Sequence, residues 1–102
     1  MAFKLSVAPS ADIDFESIIE FYLEKDADYP RRIYNAFLSK TNNLMMYPEM
    51  GRVVPEFSAQ KMTKYRELII DHFRFIYRFD KHEIIFVRIL DSRKLFDMDW
   101  LV

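Results

Sequence analysis

A chain of 102 residues has room for one domain, spanning residues 1–102. With 51% apolar and 30% charged residues, no cysteine and no apolar run near the ~20 residues of a membrane span, it reads as an ordinary globular protein, without a disulfide scaffold, a cysteine nucleophile or a thiolate metal site. A net charge of −1, two histidines and one glycine argue against bulk coating of nucleic acid, a histidine metal site and a glycine-rich phosphate loop.

The charge is uneven. Residues 1–51 carry a net −3 and residues 52–102 a net +2. The N-terminal Met1-Ala2-Phe3-Lys4 lacks the apolar stretch of a secretion signal. No repeat, linker or low-complexity run interrupts the chain.

Phe3 to Val7 alternate apolar and polar, as a half-buried strand does. Pro9-Ser10 breaks the strand, and Ser10 is read as an N-cap. Asp12, Asp14 and Glu16 then sit where a helix macrodipole favours acids. Ala11, Phe15, Ile18, Ile19 and Tyr22 recur at helical spacing to about Lys25. After the turn at Asp26-Ala27-Asp28, Pro30 opens a second helix that ends near Met46, with Ile33, Phe37, Lys40 and Leu44 on one face. So short a connection predicts an antiparallel helical hairpin. Beyond Gly51, read as a positive-φ exit from that helix, β-branched and aromatic residues dominate. Strands are predicted over 62–70, 73–79 and 83–90, joined by turns at Asp71-His72 and Asp80-Lys81-His82.

The result is an α+β domain of order β-α-α-β-β-β. A helical hairpin packs on one face of a mostly antiparallel four-stranded sheet. Pairing Ile70 with Phe73 and Phe79 with Glu83 puts Phe73, Phe75, Tyr77, Ile85, Val87 and Ile89 under the helices. The other face then carries Glu67, Ile69, Arg74, Ile76, Arg78, Ile84, Phe86 and Arg88. Three arginines among large apolar groups suggest a surface that a partner covers. Cross-strand pairing of Glu67 with Arg74 and Arg78 is the plainer account of the charges, worth at most ~1 kcal/mol. Glu56 beside Arg66, tying loop to sheet, and a solvated Glu56 are equally compatible with the sequence. His72 and His82, in turns, read as surface histidines.

These residues resemble the RelE/ParE superfamily of toxins from type II toxin–antitoxin systems. Leu44-x-x-x-Pro48-x-x-Gly51-Arg52 with Val54-Pro55-Glu56, Tyr65-Arg66-Glu67-Leu68, His72 to Arg78, and Val87 to Arg93 are similar to that superfamily's successive signatures, over residues 3 to 93. The resemblance implies a RelE/ParE-like fold, a cytoplasmic location, no cofactor or metal, and no membrane partner.

Two activities share that scaffold. RelE-like members cleave mRNA on the ribosome, and ParE-like members bind and poison DNA gyrase. For an mRNA interferase, the resemblance assigns Arg74 and Arg93 as phosphate clamps, with Glu67 as base candidate. Arginine holds its proton too firmly to act as base. The stretch after Arg93 lacks the Tyr or His usual in nuclease members, and the basic character suited to ribosomal RNA is weak. The acidic first helix and amphipathic tail resemble the ParE branch instead. The expectation is therefore a plasmid-stabilisation-type toxin that poisons gyrase, the alternatives being an endoribonuclease or a degenerate toxin that only binds antitoxin. A cognate antitoxin is the implied partner, in a toxin–antitoxin heterotetramer or beside a toxin homodimer. Its segment, or the target, is expected on Arg74, Arg78, Arg88, Ile69, Ile76, Ile84, Phe86 and Trp100, although core packing is the commoner fate of a tail like the one around Trp100.

Overall fold

A computed structural model describes residues 3–61 and 63–96. The elements run β1 (Lys4–Val7), α1 (Pro9–Tyr22), α2 (Tyr29–Leu44), β2 (Arg52–Val53), α3 (Pro55–Ser58), β3 (Tyr65–Ile70), β4 (Phe73–Phe79) and β5 (Glu83–Asp91). The α+β order expected from the sequence is present, with two short additions. β2 and α3 are built from the Arg52 to Ser58 stretch, so the sheet has five strands in the order β1-β5-β4-β3-β2. Only β1 runs parallel to its neighbour. Two residues of strand followed by Pro55 at the first helical turn are too brief for periodicity to register.

Local chemistry sets the element ends. Pro9 occupies the first turn of α1 and Ala8 is its N-cap. Ser10, read as the cap, instead donates from Oγ to the Val87 carbonyl. α2 buries Pro30, Ile33, Phe37, Thr41 and Leu44, so Thr41 and not Lys40 completes the inward face. Its hydroxyl is satisfied by the Leu38 carbonyl at 2.9 Å.

The β3–β4 hairpin has the expected register, with Ile70 opposite Phe73, Leu68 opposite Phe75 and Arg66 opposite Tyr77. Asp71 absorbs the tight turn with a φ of 54°, a conformation aspartate tolerates. The β4–β5 register differs from the expected one. Phe79 pairs with Ile84, because the Asp80 carboxylate accepts from the backbone N–H groups of His82 and Glu83 and lengthens the turn by one residue. A bulge at Ile76/Tyr77 shifts the register again, so Phe75 faces Ile89.

The faces of β5 change accordingly. Ile84 and Phe86, expected on the open face, lie in the core beneath the helices with Phe37, Phe75 and Tyr77. Ile85 and Val87, expected inside, do not. One residue of slip reverses every side chain, and burying Phe86 removes more apolar area from water than burying Val87. After the bulge Ile89 is back on the helix side, as expected.

The open face is partly covered by the chain itself. Ile76, also expected there as a binding residue, is fully buried in a second cluster with Val54, Phe57, Tyr65 and Leu90, against which Val87 and Phe96 pack. α3 and the segment after β5 form this cover.

Tyr77 links the two layers. Its hydroxyl donates to the Pro48 carbonyl at 2.7 Å and accepts from the Gly51 N–H at 3.0 Å. Gly51 does not have the positive φ expected of it. It is needed for space, since a Cβ there would fall 2.5 Å from the Tyr77 hydroxyl and 2.8 Å from the Glu67 carbonyl oxygen. Arg66 holds the same loop through the carbonyls of Glu49 and Gly51.

Gly51→Ala is therefore expected to cost about 1–3 kcal/mol by overpacking. Tyr77→Phe is expected to cost a similar ~1–3 kcal/mol by leaving two backbone groups unsatisfied. Chemical denaturation of the two single variants measures both losses.

Candidate functional site

The expected site residues do not converge on one place. Glu67 and Arg74 are brought together on the face covered by α3. Glu67 on β3 is 1% exposed and Arg74 on β4 is 8% exposed. The Arg74 Nε donates to Glu67 at 2.8 Å, and its two terminal nitrogens donate to both oxygens of Glu56 on α3 at 2.9 and 2.6 Å. Arg52 on β2 donates to the second Glu67 oxygen. The four side chains form a ladder, Arg52–Glu67–Arg74–Glu56, in which opposite charges alternate and the net charge is zero. Phe96 caps it, its ring centroid 4.9 Å from the guanidinium carbon of Arg74.

This geometry corrects two sequence expectations. Glu56 pairs with Arg74 rather than Arg66, because α3 lays its first turn over β4. Glu67 lies between Arg52 and Arg74 and not between Arg74 and Arg78, because β2 adds a partner strand beside it. The Arg74 hydrogen bonds hold the Glu56 carboxyl below its ordinary value of 4.5. The same bonds raise the guanidinium of Arg74 further above its already high value.

Arg93 lies apart from this ladder. It follows β5 and folds back on Asp91, with Nε at 3.0 Å, a terminal nitrogen at 2.8 Å and its backbone N–H at 2.9 Å from that carboxylate. The hydrogen bond from Arg93 pulls the Asp91 carboxyl down to about 2.

Arg88, expected on the open face, reaches α1. Its Nε and a terminal nitrogen fork onto the Asp14 carboxylate at 2.7 and 2.8 Å. Asp14 also accepts the Ile89 N–H at 2.8 Å. This bond caps the edge of β5 where β1 has ended, and Ser10 on Val87 covers the position before it. Arg78 is exposed on the open face, as expected, and so is Ile69. Trp100 lies outside the described residues.

Sequence reasoning missed a groove of about 420 Å³ between α1 and the end of β5. Ile18, Phe21, Tyr22 and Ile89 give it apolar walls, and Asp14, Arg88, Asp91, Arg93 and Lys94 line its rim. Along α1, Ile13 and Phe21 are exposed, as is Leu23 just past its end. The signal was present in these outward apolar positions, which the helical pattern of the core does not use.

His72, read as a surface histidine, is half-buried. It stacks against Tyr29 and lies tilted against Phe73, and its Nδ1 is 3.7 Å from Asp71. Among the described residues there is no group of His, Cys, Asp and Glu arranged to hold a metal ion, and no helix is long and apolar enough to cross a membrane.

The sequence pattern described as "ParE toxin of type II toxin-antitoxin system, parDE" matches residues 5–96. The chain belongs to this ParE toxin family. Solved structures share the fold. The chromosomal ParDE toxin–antitoxin system of P. aeruginosa superposes with a TM-score of 0.64 at 18% identity, over 88% of this chain and 96% of that one. The RelBE2 toxin–antitoxin complex of Mycobacterium tuberculosis gives 0.63 at 15% identity, over 92% and 95%. No curated protein matches by sequence search. The ParE family member is thus built on the RelE/ParE-like scaffold that its sequence words resemble.

The ladder predicts specific losses. Glu67→Ala leaves Arg74 buried beside only one carboxylate and is expected to cost roughly 3–5 kcal/mol in denaturant titration. Because the folded-state value of Glu56 is depressed, its contribution is present above 4.5 and is lost as pH falls below that value. Glu56→Gln should therefore show a shallower acid-induced loss of stability than the wild type in pH-dependent thermal melts.

Proposed function

We propose that this ParE-family toxin arrests growth by binding DNA gyrase and trapping its cleaved-DNA state, without a catalytic reaction of its own. One observation carries the reading: each arginine that an RNA-cleaving site would need is already paired within the chain. Arg74 is held by Glu56 and Glu67, and Arg93 by Asp91. At Arg74 an incoming phosphate would have to compete with the buried Glu67 and the two-pronged Glu56; at Arg93 it would meet a solvent-exposed guanidinium that is engaged by Asp91.

The base candidate fares no better. Glu67 is fully buried and hydrogen-bonded to two guanidiniums, out of reach of a 2′-hydroxyl. Arg93 belongs to the α1 side of the sheet and Arg74 to the α3 side, so the two do not converge on one scissile bond.

The partner that neutralises the toxin is proposed to be a cognate antitoxin. The groove between α1 and β5 suits an amphipathic segment of it. Phe21, Tyr22 and Ile18 offer apolar contact, and Arg93 and Lys94 offer charges for acidic side chains at the rim.

Induced expression of the toxin in a bacterium, with parallel readouts of gyrase–DNA cleavage complexes and ribosome-bound mRNA, tests the reading. Broken DNA, an SOS response and intact mRNA are expected. Cut mRNA with intact DNA would make it an interferase and return Arg74, Arg93 and Glu67 to a catalytic role. An absence of any growth defect would indicate a scaffold that only binds antitoxin.

A further inference from the structure

Between α2 and β2 the chain passes through Met46-Tyr47-Pro48-Glu49-Met50. Three large apolar side chains in these five residues face solvent: Met46 is 59% exposed, Tyr47 69% and Met50 47%. Single exposed apolar residues are ordinary, but three on one short loop make a patch.

The backbone beneath these side chains is fixed. The N–H groups of Met46 and Tyr47 donate to the Asn43 carbonyl at 3.1 and 3.0 Å, and that of Met50 donates to the Tyr47 carbonyl at 3.0 Å. Tyr77 holds Pro48 and Gly51 from the sheet. One terminal nitrogen of Arg66 donates to the carbonyls of Glu49 and Gly51 at 3.0 and 2.8 Å. A loop held this way has little freedom left to lose on binding. Arg66 bonds only carbonyls, and among the described residues no carboxylate pairs with it, so its positive charge is uncompensated at the base of the loop. Met, Tyr and Arg are enriched where protein surfaces meet, and Tyr and Arg carry much of the energy there. The loop hangs on β3 and β4, whereas the groove borders α1 and β5. Phe73, which lines the groove, is about 13 Å along β4 from Tyr77.

We propose that the Met46–Met50 loop, with Arg66 at its base, is the surface by which this toxin engages its protein target. The occupant is a protein with an apolar pocket for Met46, Tyr47 and Met50 and a carboxylate for Arg66. Naming that protein as gyrase rests on the reading above. A nucleic-acid strand suits the loop less, because Arg66 is a lone cation at its base and Glu49 stands exposed beside it. The target surface is then distinct from the groove that suits the antitoxin.

The triple variant Met46→Gln, Tyr47→Ser, Met50→Gln changes exposed side chains and keeps the loop's backbone bonds, so its melting temperature should match the wild type. On immobilised DNA gyrase from the expression host its Kd is expected to rise about tenfold or more, and its induction should no longer arrest growth. Leu38→Gln, at an exposed apolar position on α2, should bind and arrest as the wild type does. Tyr47→Ser alone, expected to weaken binding severalfold, decides the matter if the triple variant unfolds. A folded triple variant that binds gyrase and arrests growth like the wild type overturns the proposal and leaves the gyrase reading standing. Wild type that arrests growth without binding gyrase, beside a triple variant that does not arrest, removes gyrase and keeps the loop as the contact with another target. Wild type that neither binds nor arrests overturns both. Equal loss in Leu38→Gln overturns the proposal, as does wild-type binding to a bare DNA duplex that the triple variant loses, which would assign the loop to nucleic acid.

Discussion

The arrangement of the sheet's second face depends on the buried ladder Arg52–Glu67–Arg74–Glu56. Each rung comes from a different element: β2, β3, β4 and α3. A buried carboxylate or guanidinium costs several kcal/mol to desolvate, and only close, hydrogen-bonded partners of opposite sign offset that cost. Alternating four charges meets the requirement. It also fixes the register of β2 on β3 and holds a single turn of helix over the sheet. α3 is too short to be stable alone. The fork from Arg74 and the burial of Phe57 keep it in place.

The same requirement separates structure from chemistry in this fold. An arginine that clamps a phosphate has to be available when the phosphate arrives. Arg74 is engaged on three sides by two carboxylates and on a fourth by Phe96. On the proposed reading, the ladder makes Arg74 a structural tie. Among the described residues, exposed apolar side chains of α1, the groove beside β5 and Arg78 face outward. That distribution suits a toxin that works by contact.

Much of the fold was legible because its signals are local. Pro30 marks a helix start, and Asp71-His72 marks a two-residue hairpin whose register then follows. The β5 faces were not legible. Glu83-Ile84-Ile85-Phe86-Val87 is apolar at both parities, so alternation cannot choose a side. The choice is made by the Asp80 side chain bonding two backbone N–H groups, and by a bulge, neither of which leaves a periodic trace. For the site, Arg74 and Glu67 were identified as neighbours from register alone. Their partners Arg52 and Glu56 were missed because β2 and α3 come from a stretch that reads as loop. Asp14 was read as a macrodipole acid, whereas it caps a strand edge 75 residues away in sequence. Long-range pairing of that kind has no local sequence signature.

The most direct test of the ladder as structure is to replace Glu67 with Leu and Arg74 with Met together, then measure growth arrest alongside denaturant stability. Apolar side chains of similar volume can substitute for a buried ion pair with little loss. The account predicts a folded double variant that still arrests growth, with a smaller stability loss than Glu67→Ala alone. A double variant that folds as stably as the wild type yet no longer arrests growth would show that Arg74 acts on the target, and would contradict the account.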